Sequence, residues 1–458
     1  MQNKYEIDMS QGKLFTKIVS FAVPLLLSGF LQLAFNAADL IVVGRFCGEN
    51  ALAAVGSNTP LITLVINILL GLGTGTSVMV SQYYGAKDEK QLLDAVRTTV
   101  IVGVIGGIIF GAAGVALSGI LLIAMTTPEP VLPLATTYLQ IYFAGLPVII
   151  LYNFTSAVLR AVGDSRRPLA FLTIAGVLNV VLNLIFVVPF HMGVAGVAIA
   201  TVLSQCISCV LTLRCLLKSD SICRLELHPR SISREQFREM LRIGLPAGIQ
   251  GSLFSISNVL IQSSVNSFGP IVMAGNSAAA SVESFLFVAI DAMNQAAVAS
   301  VSQNMGARKY DRTRRAVRCC LLMEFFLSVA LSCLSIAFRR QLVGIYTPDP
   351  EAIEAGAVRL VIMGVLYFLN GMQHIMTGIM RGHGYSILPT CITLACICGF
   401  RILFIYTYFA AHRTLQVLYY SYPISWILTI VAETVCYYAL RSKAYERNEL
   451  KYQKILAD

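Results

Sequence analysis

Four side chains in the first long apolar run could carry a proton or a small cation. Ser28, Gln32, Asn36 and Asp39 are spaced by four, four and three residues, which puts them on one face of a helix. An Asp at the centre of a membrane helix costs about 2.5–3.5 kcal/mol on insertion scales, so it needs a partner or a task. A neutral Asp39 donates a hydrogen bond to an amide carbonyl, whereas an ionised one only accepts. Its charge state would therefore select between two helix packings. The bland alternative is a buried helix–helix hydrogen bond that never titrates.

A second stripe, Thr173, Gly176, Asn179 and Asn183, lies in a later apolar run, with Asn153 and Thr201 in neighbouring runs as possible additions. Further along, Glu283 and Asp291 share one run with Asn294 and Gln295. Either acid could meet a cation or a cationic solute; the alternative is a wet cavity or a span end. Asn258, Gln262, Asn370, His374 and Arg401 extend this second set. Packing is the plainer reading of His374, and Arg401 is expected to hold carbonyls or a carboxylate. Arg160 and Arg381 suit helix carboxyl ends, where cations are favoured.

The elements that must position these groups are membrane spans. The 458-residue chain is 56% hydrophobic and only 13% charged, with mean hydropathy +0.72, against about 25% charged in average globular chains. The twelve cysteines lie mostly inside apolar runs and read as small fillers rather than a disulfide frame; Cys206 and Cys209 are included despite their redox-like spacing. No cleavable signal peptide is expected, because the first apolar run is longer than a signal core of roughly 7–15 residues. Spans of about 20 residues are expected near 16–43, 54–82, 95–122, 132–159, 168–189, 194–216, 241–266, 272–302, 316–338, 355–380, 386–410 and 415–440. With the amino terminus inside, 28 Lys and Arg fall on the cytoplasmic side and 4 on the other, leaving Arg359 and Arg401 within spans. That asymmetry follows the positive-inside rule and accounts for the +10 net charge without nucleic acid. Both termini are then cytoplasmic, with an amino-terminal lobe over 1–217, a cytoplasmic linker over 218–238, a second lobe over 239–441 and a tail over 442–458.

The halves repeat. Ser81-Gln82-Tyr83-Tyr84-Gly85-Ala86-Lys87 matches Ser302-Gln303-Asn304-Met305-Gly306-Ala307-Arg308 at an offset of 221. Ala95-Val96-Arg97, Arg160, Gly163 and Pro168 recur at the same offset, while Pro24 and Asn36 recur as Pro246 and Asn258 at 222. One residue of slippage near Gly48 and Gly269 explains the difference. Pro24 and Pro246 predict bends. Gly71-Leu72-Gly73-Thr74-Gly75 resembles a nucleotide loop only out of context; in an apolar span it predicts close helix packing. Two six-span repeats entering the membrane in the same direction predict an axis along the membrane normal, as in duplicated transporters.

With these residues in view, the chain resembles the multidrug and toxic compound extrusion (MATE) family over nearly its whole length. The resemblance is carried by Phe35-Asn36-Ala37-Ala38-Asp39-Leu40-Ile41-Val42-Val43-Gly44-Arg45, by Ala51 to Gly56, and by Ser81-Gln82 with Gly85-Ala86. Gln303-Asn304, Gly306-Ala307, Asp311-Arg312, the run Arg160 to Ser165, and Gly193 to Thr201 add to it. It implies an all-α integral membrane fold of twelve helices in two pseudo-symmetric six-helix lobes, V-shaped around a central cavity. It also implies export of mostly cationic amphipathic compounds driven by protons or sodium, with no bound cofactor. Asp39, Asn179, Asn183 and Thr201 match an ion-linked network of the family; Asn183 departs from it, since related members often carry Asp there. Carboxylates typical of the sodium-type branch in the seventh and tenth spans are missing: the nearest positions are Phe254 and Asn370. The chain is thus nearer the DinF-type branch than the NorM sodium pattern.

The expected protein is a cation-coupled, proton-favouring antiporter, monomeric, in a bacterial cytoplasmic membrane, whose partners are small organic solutes and the lipid bilayer. A flippase for lipid-linked saccharides is the alternative within transport, disfavoured by acids in both halves. No phosphate loop, zinc-protease motif or nucleophile setting suggests an enzyme.

Overall fold

The computed structural model describes residues 5–218, 224–225 and 233–457. Most of the expected linker therefore lies outside the described residues. Long apolar runs with few interior breakers give α1 (Leu14–Phe46), α2 (Glu49–Ala86), α3 (Glu89–Ala124), α4 (Leu132–Ala144), α5 (Leu146–Ala161), α6 (Arg166–Val187) and α7 (Gly193–Leu217). The second half gives α8 (Arg234–Asn266), α9 (Pro270–Gly306), α10 (Tyr310–Ala337), the short α11 (Arg339–Gly344), α12 (Pro350–Val365) and α13 (Tyr367–Gly382). α14 (Ile387–Thr393) and α15 (Phe400–Phe404) alternate with wider π-helical turns at Leu394–Gly399 and Ile405–Phe409, and α16 (Leu415–Ala457) ends the chain. No strand occurs among the described residues.

Among the described residues nine helices are long and apolar enough to cross a bilayer, and the bent pairs α4–α5 and α12–α13 bring the count to eleven. α8 is the twelfth; charges in its first turns and Gln250, Ser252, Ser255 and Asn258 later dilute its hydropathy. All twelve expected spans fall on these helices. Three details differ from expectation. The fourth and tenth spans bend by 48° and 54° at Gly145 and Leu366, positions 221 apart. At the first bend Pro147 brings no N–H, which frees the carbonyl of Phe143. The eleventh span contains π turns, whereas its counterpart α6 is regular. The twelfth helix runs unbroken through the expected tail to Ala457.

Backbone geometry repeats with the sequence. Lys87 and Arg308 both take φ 56°, Gly48 and Gly269 take 85° and 96°, and Gly163 and Gly384 take 88° and 82°. Left-handed backbone costs a β-carbon residue roughly 1–2 kcal/mol. At Lys87 the cost is offset by a backbone N–H that closes the end of α2 on the carbonyls of Tyr83 and Tyr84.

Two compact units result, and they do not coincide with the halves of the sequence. One comprises residues 1–8 and 23–245, the other 9–22 and 246–458. The boundaries cut α1 beside Pro24 and α8 at Pro246. In the first unit Gly75 shows why: a β-carbon there would lie 2.4 Å from the Met240 carbonyl and 3.0 Å from Gly244 Cα. The glycine-rich stretch of α2 is thus a close-packing surface for the opening turns of α8. The eleven described cysteines are all free.

Candidate functional site

In the first unit, α1, α6 and α7 bring Asp39, Asn179, Asn183 and Thr201 into one chain of hydrogen bonds. Asn183 Nδ2 donates to Asp39 Oδ1 at 2.5 Å and lies 3.3 Å from Asn179 Oδ1. Asn179 Nδ2 donates to Thr201 Oγ1 at 3.3 Å, and that hydroxyl donates to the Val197 carbonyl at 3.0 Å. Asn179 and Asn183 are buried, whereas Asp39 and Thr201 are half-buried. The helices approach closely because Gly176 lacks a side chain: a β-carbon there would sit 1.8 Å from the Phe35 ring. One turn from the polar chain, Val42, Val43, Val187, Val197 and Ala198 pack with Tyr138 and Val194 as an apolar plug. Among the described residues Asp39 has no ion-pair partner.

Two expected members are not joined to this chain by any hydrogen bond. Asn36 is exposed and accepts from Gln32 at 3.3 Å on its own helix. Asn153 donates to the Ile149 carbonyl one turn back at 2.8 Å. The four residues that share a face of α1 are therefore split: Asp39 engages α6, while Gln32 and Asn36 are exposed and bond to each other.

The second unit differs from expectation in its charges. Glu283 is not a bare anion awaiting a cation. Arg359 clamps it with two hydrogen bonds, 2.9 Å from Nε and 2.6 Å from Nη2, and the two side chains are 13% and 8% exposed. Arg359 Nη1 also donates to Asn276 Oδ1 at 2.5 Å, which receives the Tyr419 hydroxyl at 3.0 Å. Asn276 Nδ2 in turn donates to Gln262 Oε1 at 2.8 Å, and the guanidinium lies 5.5 Å from the Tyr419 ring centre. A bidentate pair of this kind is strong and geometrically specific.

Asp291 accepts from Gln295 at 2.8 Å and stands 3.6 Å from His374 Nε2; that ring packs on Phe287. Asn370 is buried and accepts from Gln373 at 3.4 Å. Asn258 is exposed and, among the described residues, is hydrogen-bonded to none of these groups. Arg401 holds no carboxylate: its Nε donates to Ser425 Oγ at 3.0 Å, and its guanidinium lies 4.2 Å from the Tyr422 ring centre. Arg381 lies in the last turn of α13, as expected, and its Nη2 donates to Gln250 Oε1 at 2.7 Å.

Two acids missed by the sequence reading are fully buried. Glu324 of α10 accepts from Ser328 and faces Gly371, where a β-carbon would lie 2.0 Å from Oε1. Glu433 of α16 accepts from Thr377 Oγ1 at 2.6 Å. Each is a lone acid deep in an apolar run, the same signal that singles out Asp39.

Twelve spans in duplicated six-helix sets, with polar chains sequestered inside each, define a multi-pass membrane transporter. The MatE family model matches twice, over residues 24–185 and 246–407, which reproduces the internal repeat. The chain belongs to the MATE family of multidrug efflux transporters. It is 33% identical to "Probable multidrug resistance protein YpnP" of Bacillus subtilis over 82% of this chain and 84% of that one. It is 28% identical to "Probable multidrug resistance protein YoeA" of the same organism over 90% of each. Among solved structures, a MATE transporter in the bent conformation aligns with TM-score 0.88 at 24% identity, over 98% of this chain and 99% of the other.

Proposed function

We propose that the protein is a proton-coupled antiporter that exports organic, mainly cationic amphipathic compounds, and that Asp39 is a coupling carboxyl. The observation that carries this reading is the Asp39–Asn183–Asn179–Thr201 chain, which links three helices through one ionisable group. An ionised Asp39 accepts from Asn183; a protonated one can donate, which requires the amide to turn. Turning Asn183 alters its bond to Asn179 and hence the contact to α7. The proton thereby selects between two arrangements of the first unit, which is the differential interaction that any conformational switch requires. The residues around Asp39 are amides and a hydroxyl, and in the second unit Arg359 is committed to Glu283, while Arg401 is packed on the Tyr422 ring. Membership in a multidrug efflux family supports organic cargo. We place the protein in a bacterial cytoplasmic membrane with both termini inside, acting as a monomer.

The test is efflux of a fluorescent organic cation from proteoliposomes under an imposed pH gradient or an imposed sodium gradient. The pH gradient is expected to drive export by the wild type, and Asp39→Asn to abolish it. Export driven equally well by Asp39→Asn removes the coupling role; export driven only by sodium replaces the proton.

A further inference from the structure

The second unit contains a buried carboxyl whose neighbours can be rearranged by one proton. Glu433 is 0% exposed, and its Oε1 lies 2.6 Å from Thr377 Oγ1. The same hydroxyl lies 3.2 Å from the Gln373 carbonyl one turn back. A threonine hydroxyl has one hydrogen and two lone pairs. It cannot donate to both acceptors at once. With Glu433 ionised, Thr377 donates to the carboxylate and leaves the Gln373 carbonyl. With Glu433 protonated, the acid donates to Thr377 Oγ1, and the hydroxyl hydrogen turns to the Gln373 carbonyl. Both arrangements fit the observed positions without moving a heavy atom.

The surroundings extend this pair into an array across four elements. Arg381, one turn beyond Thr377 on α13, donates to Gln250 of α8. Gln250 Nε2 donates to Thr393 Oγ1 at 3.2 Å, so Thr393 keeps its own hydrogen for the carboxyl it faces. Thr390 Oγ1 repeats the two-acceptor geometry, 3.1 Å from Gln250 Oε1 and 3.2 Å from the Pro246 carbonyl. The groups facing Glu433 are thus Thr377 and Arg381 from α13, Thr393 from α14 and Cys396 from the first π segment; Asp291 of α9 acts on Arg381. Glu433 Oε2 and Arg381 Nε have no hydrogen-bond partner in this arrangement. The array ends at Pro246, where α8 passes from one compact unit to the other.

We propose that Glu433, with Thr377, is a second proton-binding site, located in the second unit and separate from Asp39. The ligand is a proton rather than a metal cation, because the Arg381 guanidinium faces the carboxyl. Its use in transport rests on the reading of the protein as a proton-driven exporter; the binding itself does not.

The test is infrared difference spectroscopy of the full-length protein in lipid nanodiscs, titrated with acid and base. The wild type is expected to show a carboxylic C=O band that appears on acidification. In Glu433→Gln the band is lost; in Thr377→Val it shifts, because the carboxylic acid loses its hydrogen-bonding hydroxyl. In Asp39→Asn it is retained, even if that variant exports normally and the coupling role of Asp39 fails. A wild-type spectrum whose titrating carboxyl bands are all unchanged in Glu433→Gln overturns the proposal. So does an unshifted band in Thr377→Val. Glu433→Asp guards against a folding failure: it is expected to restore a titrating band, and a correctly folded Glu433→Asp without one also overturns the proposal.

Discussion

The two units share a chain path and several basic residues at helix ends, but none of the acids within their spans. Glycine and proline positions, left-handed turns and the bends at Gly145 and Leu366 repeat, at an offset of 221 from Gly48 onward and 222 before it. The acids within the spans do not. Asp39 corresponds to Ile261, Glu283 to Ile62, Arg359 to Tyr138 and Glu433 to Thr212. Within its spans the first unit holds one acid in a chain of amides, its buried Asp164–Arg167 pair lying at a helix start; the second holds a locked ion pair and two buried acids of its own within spans. Duplication therefore supplied a backbone, and each copy was furnished with different chemistry. A charge that can change state needs soft, neutral partners such as Asn183, whereas Glu283, gripped by Arg359, is fixed.

The largest test of that contrast is to remove one acid from each unit. Glu283→Gln leaves the Arg359 guanidinium buried without a counter-charge and is expected to destabilise by about 3–5 kcal/mol. Thermal unfolding in detergent would show it, and the double variant with Arg359→Met should recover most of the loss. Asp39→Asn, which still accepts a hydrogen bond from Asn183, is expected to melt near the wild type. Equal losses in the two single variants would erase the distinction.

A second difference lies just beyond the end of α13. His383 is buried among Tyr437 and Tyr445, and its counterpart in the first unit is Val162. Burial, with some repulsion from Arg447, pushes His383 down from 6.5 to about 4. The unfolded chain then takes up the proton more readily than the folded one. The stabilising contribution is complete above pH 6.5 and is lost as pH falls toward 4, by about 3 kcal/mol in full. Melting curves recorded at neutral and acid pH should converge in His383→Val, in which the second unit resembles the first at this point.

The smallest expected effect concerns Gly176. An added methyl meets the Phe35 ring and is expected to cost about 1–3 kcal/mol, with export falling because α1 shifts away from Asn183. Phe35→Leu should recover part of both the melting temperature and the export rate. A neutral Gly176→Ala would mean that the first unit is more loosely packed than the contact between these helices implies.

Most spans were legible from length and hydropathy, and all Lys and Arg but Arg359 and Arg401 lie at or beyond their ends. The Asp39 stripe was legible because helical spacing puts its members on a face. The partner was also visible: Asn183 and Asn179 are four residues apart in a run otherwise apolar. The Glu283–Arg359 clamp was not, since the residues are 76 apart and only packing of α9 on α12 unites them. Arg401 misled for a related reason. Its charge suggested an acid, but the nearest suitable surface is the Tyr422 ring, and no local pattern reveals an aromatic face. Glu324 and Glu433 carried the same signal as Asp39: Glu324 shares a face with Ser328, Ser332 and Ser335, and Glu433 with Ser421, Ser425 and Thr429, but serine and threonine stripes are weaker flags than amides because each hydroxyl can bond its own helix carbonyls. The π turns followed from no residue pattern, since α6 at the equivalent place is regular.

The exchange of helix ends at Pro24 and Pro246 has a consequence for how such a molecule can be taken apart. Each half of the gene encodes a strut that completes the other half's product. Severing the chain in its middle loop would yield two fragments, each carrying an orphan arm and lacking one. They would be obliged to meet before either matured.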